Sequence, residues 1–409
     1  MKRLARHRSR ARIACMTVVL TATFGTLVAC ADSTIVGSEE TPEGGAVVPP
    51  LPDGGGSESE AAAEVPDAAP DVDATVPLCS TDGFCHTVLP TGLNLIGVWG
   101  DGTGVVWALS SDGDILRWGG SAWMIHHQTG AQGHSIWGSG PTDVWVASGG
   151  SILHGRGASS ASLVFSTVAD LPGDPNVPIT SIWGTGPDDI WAVGMLEDWE
   201  QWPPFLGRAL HFGGAGTGWT SDDELASMGL GFRAVWGSPT SGVWIDGLGI
   251  DDMGTFIRLV RRPKGASEWE VTSVPGILDY AIGLHGAALT SDSSVLLSGV
   301  TGVPEESINT TWRGTSIDNG ATFTWTCANQ PRWMREAFAY WGTGANDAWG
   351  VGENGLVSHW NGTTWTQAVL RVTDAPVGKT FRAIWGTSND DLWVVGDGIA
   401  LHKTTAGKP

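Results

Sequence analysis

One motif recurs along the chain, and its spacing constrains the fold more than any other feature. In its fullest form it reads Ile-Thr-Ser-Ile-Trp-Gly-Thr-Gly-Pro-Asp-Asp-Ile-Trp-Ala-Val-Gly over residues 179–194, with two Trp residues eight positions apart. The clear copies are Trp99/Trp107, Trp137/Trp145, Trp183/Trp191, Trp236/Trp244, Trp341/Trp349 and Trp385/Trp393. A worn copy with Ala288 and Leu296 at the Trp positions fills the long gap before Trp341. The chain therefore carries seven copies.

Each copy has the residue pattern of β-strands joined by turns. Val, Ile and Trp alternate with small or polar residues, and Gly, Asp and Asn interrupt them, with no stretch of helical period. A unit is predicted to hold four strands, A to D, with tight turns such as Asn361-Gly362 between strands C and D. Residues 79–409 supply about 47 residues per copy, a period typical of propeller blades. The predicted fold class is all-β, a seven-bladed β-propeller of four-stranded antiparallel blades.

The last copy ends before its fourth strand. Strand C of that copy is Ile399-Ala-Leu-His-Lys403, and few residues follow it. The segment Phe84-Cys-His-Thr-Val-Leu-Pro90 near the other end of the chain is similar to a strand D segment, Trp269-Glu-Val-Thr-Ser-Val-Pro275. We therefore predict that an N-terminal strand completes the last blade, because a closed ring leaves no exposed sheet edge.

The N-terminal residues predict export and lipidation. Residues 1–29 have six basic residues among their first twelve positions and continue with an apolar stretch. They end in Leu27-Val28-Ala29-Cys30, which is similar to a bacterial lipobox. That resemblance implies cleavage before Cys30 and membrane anchoring through acyl chains on Cys30, and Ala31 favours the outer membrane. An ordinary signal peptide and a membrane anchor are the alternatives.

Composition separates a tether from the propeller. Residues 30–78 are rich in Pro, Gly, Ser and Ala and hold eleven acidic residues but no Lys or Arg, which predicts a disordered tether. Without the leader's six basic residues and those eleven acids, 16 basic and 32 acidic residues remain for the propeller, residues 79–409. This balance argues against nucleic-acid binding, which needs a basic surface.

Five Cys residues fit an exported protein. Cys15 lies in the leader and Cys30 is the lipidation candidate, while Cys79 and Cys85 are close enough for a small disulfide loop. Cys327 is then expected to be free, and three unpaired thiols are the alternative. We expect no metal site and no cofactor, since no second Cys pair or His set completes a zinc site.

Recurrence separates structural polar residues from candidates for function. An Asp precedes the second Trp in four copies, at Asp143, Asp189, Asp347 and Asp391. Because one active site does not need an acid in every blade, we interpret it as capping the backbone N–H groups of a turn. One strand C position carries His154, His211, His359 and His402, with Arg117 and Arg258 in blades 1 and 4. His126, His127 and His134 are not repeated.

The segment Ser316-Ile-Asp-Asn-Gly-Ala-Thr-Phe323 matches the Asp-box of BNR-repeat propellers, and the shorter turn Trp360-Asn-Gly-Thr-Thr-Trp365 is closer to kelch-like repeats. The chain thus resembles Trp-rich BNR/Asp-box, kelch-like propeller lipoproteins of Gram-negative bacteria. That family includes sialidases, so the alternative function is a BNR-type surface glycan hydrolase or lyase. A sialidase-like site needs a Tyr nucleophile beside three Arg, and the chain has only Tyr280 and Tyr340. We therefore expect no enzyme activity.

The loops between strands B and C are long only in blades 3, 4 and 5, where they are predicted to raise a lip on one face. We define the lip as residues 196–205, 248–254 and 301–308. Its candidate ligand-binding residues are Trp199, Trp202, Phe205, Asp251, Asp252, Glu305 and Glu306. Aromatic residues among acids suit a glycan, a cationic peptide or a protein partner, and unconstrained loop drift is the alternative. We predict a monomeric binding or scaffolding module, lipid-anchored in the outer membrane, for a glycan or protein ligand.

Overall fold

Four-stranded antiparallel sheets dominate the computed structural model. It describes residues 31–32, 79–252, 254–275, 281–301, 308–329, 336–372 and 375–404. Two short strands precede the first blade, β1 (Ala31–Asp32) and β2 (Phe84–His86). Seven such sheets follow one another along the chain, which confirms the predicted seven-bladed propeller.

The blades occupy consecutive stretches of the chain, and strands A to D lie in chain order in the first six.
Blade 1 holds β3 (Leu95–Gly100), β4 (Val106–Ser110), β5 (Asp114–Trp118) and β6 (Trp123–Gln128). Blade 2 holds β7 (Gly133–Gly140), β8 (Asp143–Ser148), β9 (Ser151–Arg156) and β10 (Val164–Thr167). Blade 3 holds β11 (Ile179–Gly186), β12 (Asp189–Glu197), β13 (Phe205–Phe212) and β14 (Trp219–Ser221). Blade 4 holds β15 (Gly231–Ser238), β16 (Gly242–Asp251), β17 (Gly254–Arg262) and β18 (Glu270–Thr272).

The remaining blades repeat the order, and blade 7 borrows a strand. Blade 5 holds β19 (Ala281–Ser291), β20 (Ser294–Thr301), β21 (Ile308–Thr315) and β22 (Thr324–Asn329), and β1 pairs in parallel with β22. Blade 6 holds β23 (Ala337–Gly344), β24 (Asp347–Gly352), β25 (Val357–Trp360) and β26 (Trp365–Gln367). A small hairpin of β27 (Arg371–Val372) and β28 (Ala375–Pro376) precedes blade 7. Blade 7 holds β29 (Phe381–Ser388), β30 (Asp391–Gly396), β31 (Ile399–Thr404) and β2.

The N-terminal strand closes the ring as predicted. Strand β2 pairs antiparallel with β31, so that Cys85 lies opposite His402. The side chain of Phe84 is completely buried in the blade 6–7 core and meets the Trp349 ring edge-on. The two ends of the propeller are thereby held in one sheet. Strand A of every blade contacts strand A of both neighbouring blades, so seven inner strands surround the central axis.

The repeated Trp residues pack within and between blades. The two Trp of a copy lie directly opposite each other on strands A and B, as Trp99 and Trp107 do. The second Trp is buried between blades, as Trp107 is against Phe165 of blade 2, and the first Trp also reaches the next blade. Trp99 lies over Gly138 so closely that a Cβ there would come within 2.7 Å of the indole. The Gly after the first Trp therefore makes room for the preceding blade's Trp.

Helical structure is scarce. In the part of the chain that the structure describes, the α-helix is α1 (Asp223–Ser227), which lies between blades 3 and 4. The side chain of Asp222 accepts a hydrogen bond from the Leu225 N–H at its start. Single turns of 3-10 helix occur at Ser160–Ser162 and Glu353–Gly355. In the described ranges, no helix has the length and apolar character that crossing a bilayer requires.

Candidate functional site

Three neighbouring blades rise above the others on one face of the ring. Strand B has nine, ten and eight residues in blades 3, 4 and 5. It has five in blade 1 and six in blades 2, 6 and 7. Because each strand residue advances about 3.3 Å, the difference raises these B–C hairpins by roughly 10 Å. The predicted lengthening of the B–C connections in blades 3 to 5 is therefore confirmed in the strands that flank them.

Two large aromatic side chains are displayed at the tip of the blade 3 hairpin. Trp199 is 62% exposed and Trp202 is 71% exposed. Asp198 orders this loop, because its carboxylate accepts hydrogen bonds from the Glu200 N–H at 3.0 Å and from the Gln201 amide at 2.5 Å. Its own N–H donates to the Pro204 carbonyl oxygen at 2.7 Å. The two indoles thus project from a hydrogen-bonded loop, which weighs against unconstrained drift.

Phe205 does not share that exposure. Its side chain is only 3% exposed and packs in the core between blades 3 and 4, with Trp236 and Leu248. Trp199 lies edge-on to it, with ring centroids 5.7 Å apart. The expectation that Phe205 offers a surface to a ligand is wrong, because the lengthened strand β13 begins at Phe205 and turns its side chain inward. Phe205 instead supports Trp199 from below.

The described part of the lip is acidic. Glu197, Glu200, Asp251 and Asp252 are all exposed. The Glu197 carboxylate accepts a hydrogen bond of 2.5 Å from Trp199 Nε1. The loops 196–205 and 248–254 contain no Lys or Arg. Glu305 and Glu306, which complete the predicted site, lie outside the described residues. An exposed aromatic pair beside exposed carboxylates can recognise a cation by charge and by contact with the indole face.

The repeated Asp belongs to a side-chain network within the blade. Asp143 accepts hydrogen bonds from the His154 ring at 2.6 Å, from the Ser139 hydroxyl at 2.5 Å and from Trp145 Nε1 at 3.2 Å. The His154 ring stacks on Trp145, with centroids 3.5 Å apart. The predicted capping of backbone N–H groups is therefore wrong, because the strand C His reaches the carboxylate first. Equivalent pairs join Asp189 to His211, Asp347 to His359 and Asp391 to His402.

In the other three blades an Arg occupies the position of this His. The residues opposite the second Trp position are Arg117 in blade 1, Arg261 in blade 4 and Arg313 in blade 5. The prediction of Arg258 for blade 4 is wrong. The longer β16–β17 hairpin places Arg261, three residues later, opposite Trp244. The Arg261 guanidinium lies 4.9 Å from the centroid of Trp244. These positions are structural, as their recurrence indicated.

The described cysteines and the unrepeated histidines take part in other contacts. Cys79 and Cys85 form a disulfide with an S–S distance of 2.09 Å. Cys327 is also disulfide-bonded, so the expectation that it is free is wrong. His126 and His127 lie against the Phe165 ring on the outer strands. Among the described residues, no group of three His, Cys, Asp or Glu is placed to hold a metal ion.

A ring of variable residues was missed by the sequence reasoning. Strand A carries a β-bulge three positions before its first Trp, where the pairing with strand B skips one residue. The bulged residues are Ile96, His134, Thr180, Arg233, His285, Phe338 and Arg382. A bulge re-aims the side chain that it contains. The signal in the sequence is variation: the position after the bulge is always Gly, Ser or Ala, whereas the bulged position holds five different residue types among the seven blades.

The bulged residues of blades 5, 6 and 7 touch one another at the channel mouth. The Arg382 guanidinium lies 5.4 Å from the centroid of the Phe338 ring. The rings of Phe338 and His285 are 6.3 Å apart. A carboxylate pairs with each polar side chain, Asp397 with Arg382 and Glu336 with His285. The mouth therefore combines an aromatic surface with oriented polar groups.

Comparisons with known proteins bear on the fold. No family model matches the chain, and no curated protein matches it. A structure described as YCF48 bound to D1 peptide is 17% identical, covers 81% of this chain and 100% of its own, and gives a TM-score of 0.52. YCF48 from Cyanidioschyzon merolae is 13% identical over 79% of this chain and 99% of its own, with a TM-score of 0.55. Catalytically inactive virginiamycin B lyase from Staphylococcus aureus, with Quinupristin, is 12% identical over 78% of this chain and 97% of its own, also at 0.55. At these identities the likeness shows the propeller fold alone.

Proposed function

We propose that the protein is a binding module of the cell envelope that holds a protein partner through the lip. The observation that carries this proposal is the pair of exposed indoles, Trp199 and Trp202, on the raised hairpin of blade 3. Neither belongs to the blade repeat, so packing of the blades does not require them. Aromatic side chains at an exposed edge supply much contact area at low entropic cost, and they are enriched at protein interfaces.

Charge favours a partner segment rich in Lys or Arg. The exposed acids Glu200 and Asp252 lie in lip loops whose described residues include no Lys or Arg. A cationic segment would gain from these carboxylates and from the open indole faces. One structure of the same fold is described as holding a peptide, YCF48 bound to D1 peptide. Peptide binding is therefore a function that this architecture supports.

The binding test uses the full chain purified in detergent. The Trp199→Ala/Trp202→Ala double variant should lose capture of a partner from envelope extract and of a Lys/Arg-rich peptide library. The matched control is Ile317→Ala, which removes a fully exposed apolar side chain from the C–D hairpin of blade 5, on the opposite face. Unchanged capture by the double variant would contradict the lip proposal. A hit on a glycan array that depends on both Trp would replace the protein partner with a glycan.

We also propose that acyl chains on Cys30 anchor the module to the outer membrane, with residues 33–78 as the tether, since Ala31 and Asp32 of the predicted tether pair with blade 5 instead. The support is the sequence Leu27-Val28-Ala29-Cys30 after a basic and apolar leader. Labelled fatty acid should enter the wild-type chain and not the Cys30→Ala variant, and the label should fractionate with outer membranes. Recovery of Cys30 in a disulfide-linked peptide with Cys327 would contradict lipidation, since one sulfur cannot serve both bonds.

We propose that the module is monomeric and that it binds its partner without catalysing a reaction. Tyr340 is a poor nucleophile, because burial raises its pKa to about 12. Tyr280 lies outside the described residues. Release of product from a labelled glycan by the full chain would support the glycan hydrolase or lyase alternative instead.

A further inference from the structure

The channel mouth carries a second arrangement of side chains that the lip does not use. The bulged residue of each blade lies near the start of strand A, where that strand pairs with the end of strand B. In blades 6 and 7 strand B ends at this level, at Gly352 and Gly396. The bulged side chains Phe338 and Arg382 therefore lie at the rim of the channel. The raised hairpins of blades 3 to 5 stand beside them on the same face.

Arg382 is oriented with donors to spare. Its Nε and Nη2 atoms donate to the two carboxylate oxygens of Asp397, each at 3.1 Å. This pairing fixes the plane of the guanidinium and leaves the Nη1 N–H groups unused by Asp397. The side chain of Arg382 is 43% exposed, so a solvent-borne ligand can reach it. Both oxygens of Asp397 already accept a hydrogen bond from Arg382, so Asp397 is a positioning residue.

The neighbours of Arg382 are aromatic. Phe338 lies under the guanidinium at 5.4 Å, and His285 follows on the far side of Phe338. Glu336 pairs with Nδ1 of the His285 ring and so fixes the orientation of that ring. A surface of this composition suits a planar or apolar group with an anionic end. The ligand end at Arg382 would be anionic, because a guanidinium fork matches the geometry of a carboxylate.

We propose that this mouth binds a small carboxylate that has an apolar or aromatic body. The carboxylate pairs with the free edge of Arg382, and the body rests on Phe338 and His285. The two sites on this face then differ in sign, since the lip attracts cations and the mouth receives an anion. The proposal does not depend on the lip, because none of these residues belongs to it.

Benzoate is the probe, and benzamide is its neutral counterpart of equal shape. Binding to the full chain is measured by saturation-transfer NMR and by titration calorimetry. Benzoate should bind and benzamide should not. Arg382→Gln should weaken benzoate binding about tenfold or more, because a charge-assisted hydrogen-bond pair is lost. The matched control is Arg258→Gln, which removes another Arg that lies over a Phe ring, that of Phe256 at 4.2 Å, away from the ring of bulged residues.

A second variant keeps the test decisive if Arg382→Gln alters the fold. Phe338→Leu retains apolar volume and removes the aromatic surface, so benzoate should bind more weakly while acetate binding is unchanged. The Trp199→Ala/Trp202→Ala variant should bind benzoate normally. No benzoate binding by the wild-type chain, equal binding of benzamide, or full binding by Arg382→Gln would each overturn the proposal.

Discussion

At the scale of single residues, polar side chains hold the second Trp of each blade in place. In blade 2, Asp143 joins His154, Ser139 and Trp145 in one hydrogen-bonded set. Burial by itself would raise the pKa of Asp143. Hydrogen bonds from His154 and Ser139 lower the pKa by more than burial raises it, so the pKa lies below its ordinary value of 3.8. The charged carboxylate is thus stabilised in the folded protein. A buried set of this kind fixes one rotamer of the Trp and one register of the two strands.

The Asp143→Ala variant should be less stable by about 1–3 kcal/mol, because the His154 ring loses its partner in a largely buried site. The sign of the pH dependence follows from the lowered pKa. The contribution of Asp143 is present above pH 3.8 and is lost as the pH falls below that value. Urea unfolding from pH 7 down to pH 3 measures it. The exposed Asp112→Ala variant is the control, and a difference between Asp143→Ala and wild type that persists undiminished at pH 3 would contradict this account.

At the scale of an element, the raised hairpin of blade 3 divides its aromatic residues between core and surface. Strand pairing continues to Glu197 and Phe205, and the loop between them displays Trp199 and Trp202. Phe205 packs into the core of blades 3 and 4, where it anchors the base of the hairpin. The hairpin is therefore a rigid support for an exposed edge, a construction that suits recognition.

Substitution of the two ends of this hairpin should separate stability from binding. Phe205→Ala should cost about 3–5 kcal/mol in the free energy of unfolding, because it leaves a cavity in a packed core. Trp202→Ala should change the unfolding free energy by less than about 0.5 kcal/mol, since its side chain is exposed. Thermal and urea unfolding measure both. A large destabilisation by Trp202→Ala would show that its ring serves packing rather than recognition.

At the scale of the whole molecule, closure of the ring joins the two ends of the propeller. Strand β2 completes blade 7 and buries Phe84 against Trp349 of blade 6. Trp385 of blade 7 in turn lies over Gly100 of blade 1, so the packing between blades runs round the ring without a break. The disulfide joins Cys79 to Cys85, which lies on β2 itself. A closed ring of this kind presents no open sheet edge at either end of the propeller.

Weakening the closure should therefore affect every blade. Phe84→Ala should lower the stability of the whole propeller by about 3–5 kcal/mol, because the lost side chain belongs to the core that joins blades 6 and 7. Hydrogen exchange should show reduced protection in blades 1 to 7 together. Reduced protection confined to blade 7 would mean that the blades open independently. The exposed neighbour Val88 provides the control variant Val88→Ala.

At the same scale, partner binding should depend on salt. The lip acids Glu200, Asp251 and Asp252 are exposed, so their attraction for a cationic segment is screened by ions. Association of a captured Lys/Arg-rich peptide should slow as ionic strength rises from about 0.05 to 0.5 M, while benzoate binding at Arg382 should change less, because only one charge pair is involved. Surface plasmon resonance measures the association rate of the peptide, and titration calorimetry measures benzoate binding. A salt-independent association rate for the peptide would contradict a cationic partner.

The sequence by itself determined the blades, their number, the strand that closes the ring and the hairpins that rise above it. These features follow from local patterns, since strand alternation, turn residues and the Trp-Gly pairs act within one copy or between adjacent copies. The tertiary structure alone decided that Phe205 is buried, that Asp143 meets His154, and that Phe338 lies between His285 and Arg382. The physical reason is that a β-bulge or a lengthened hairpin changes which face a side chain occupies. Residues more than forty positions apart then meet only because the ring brings each strand A beside the next.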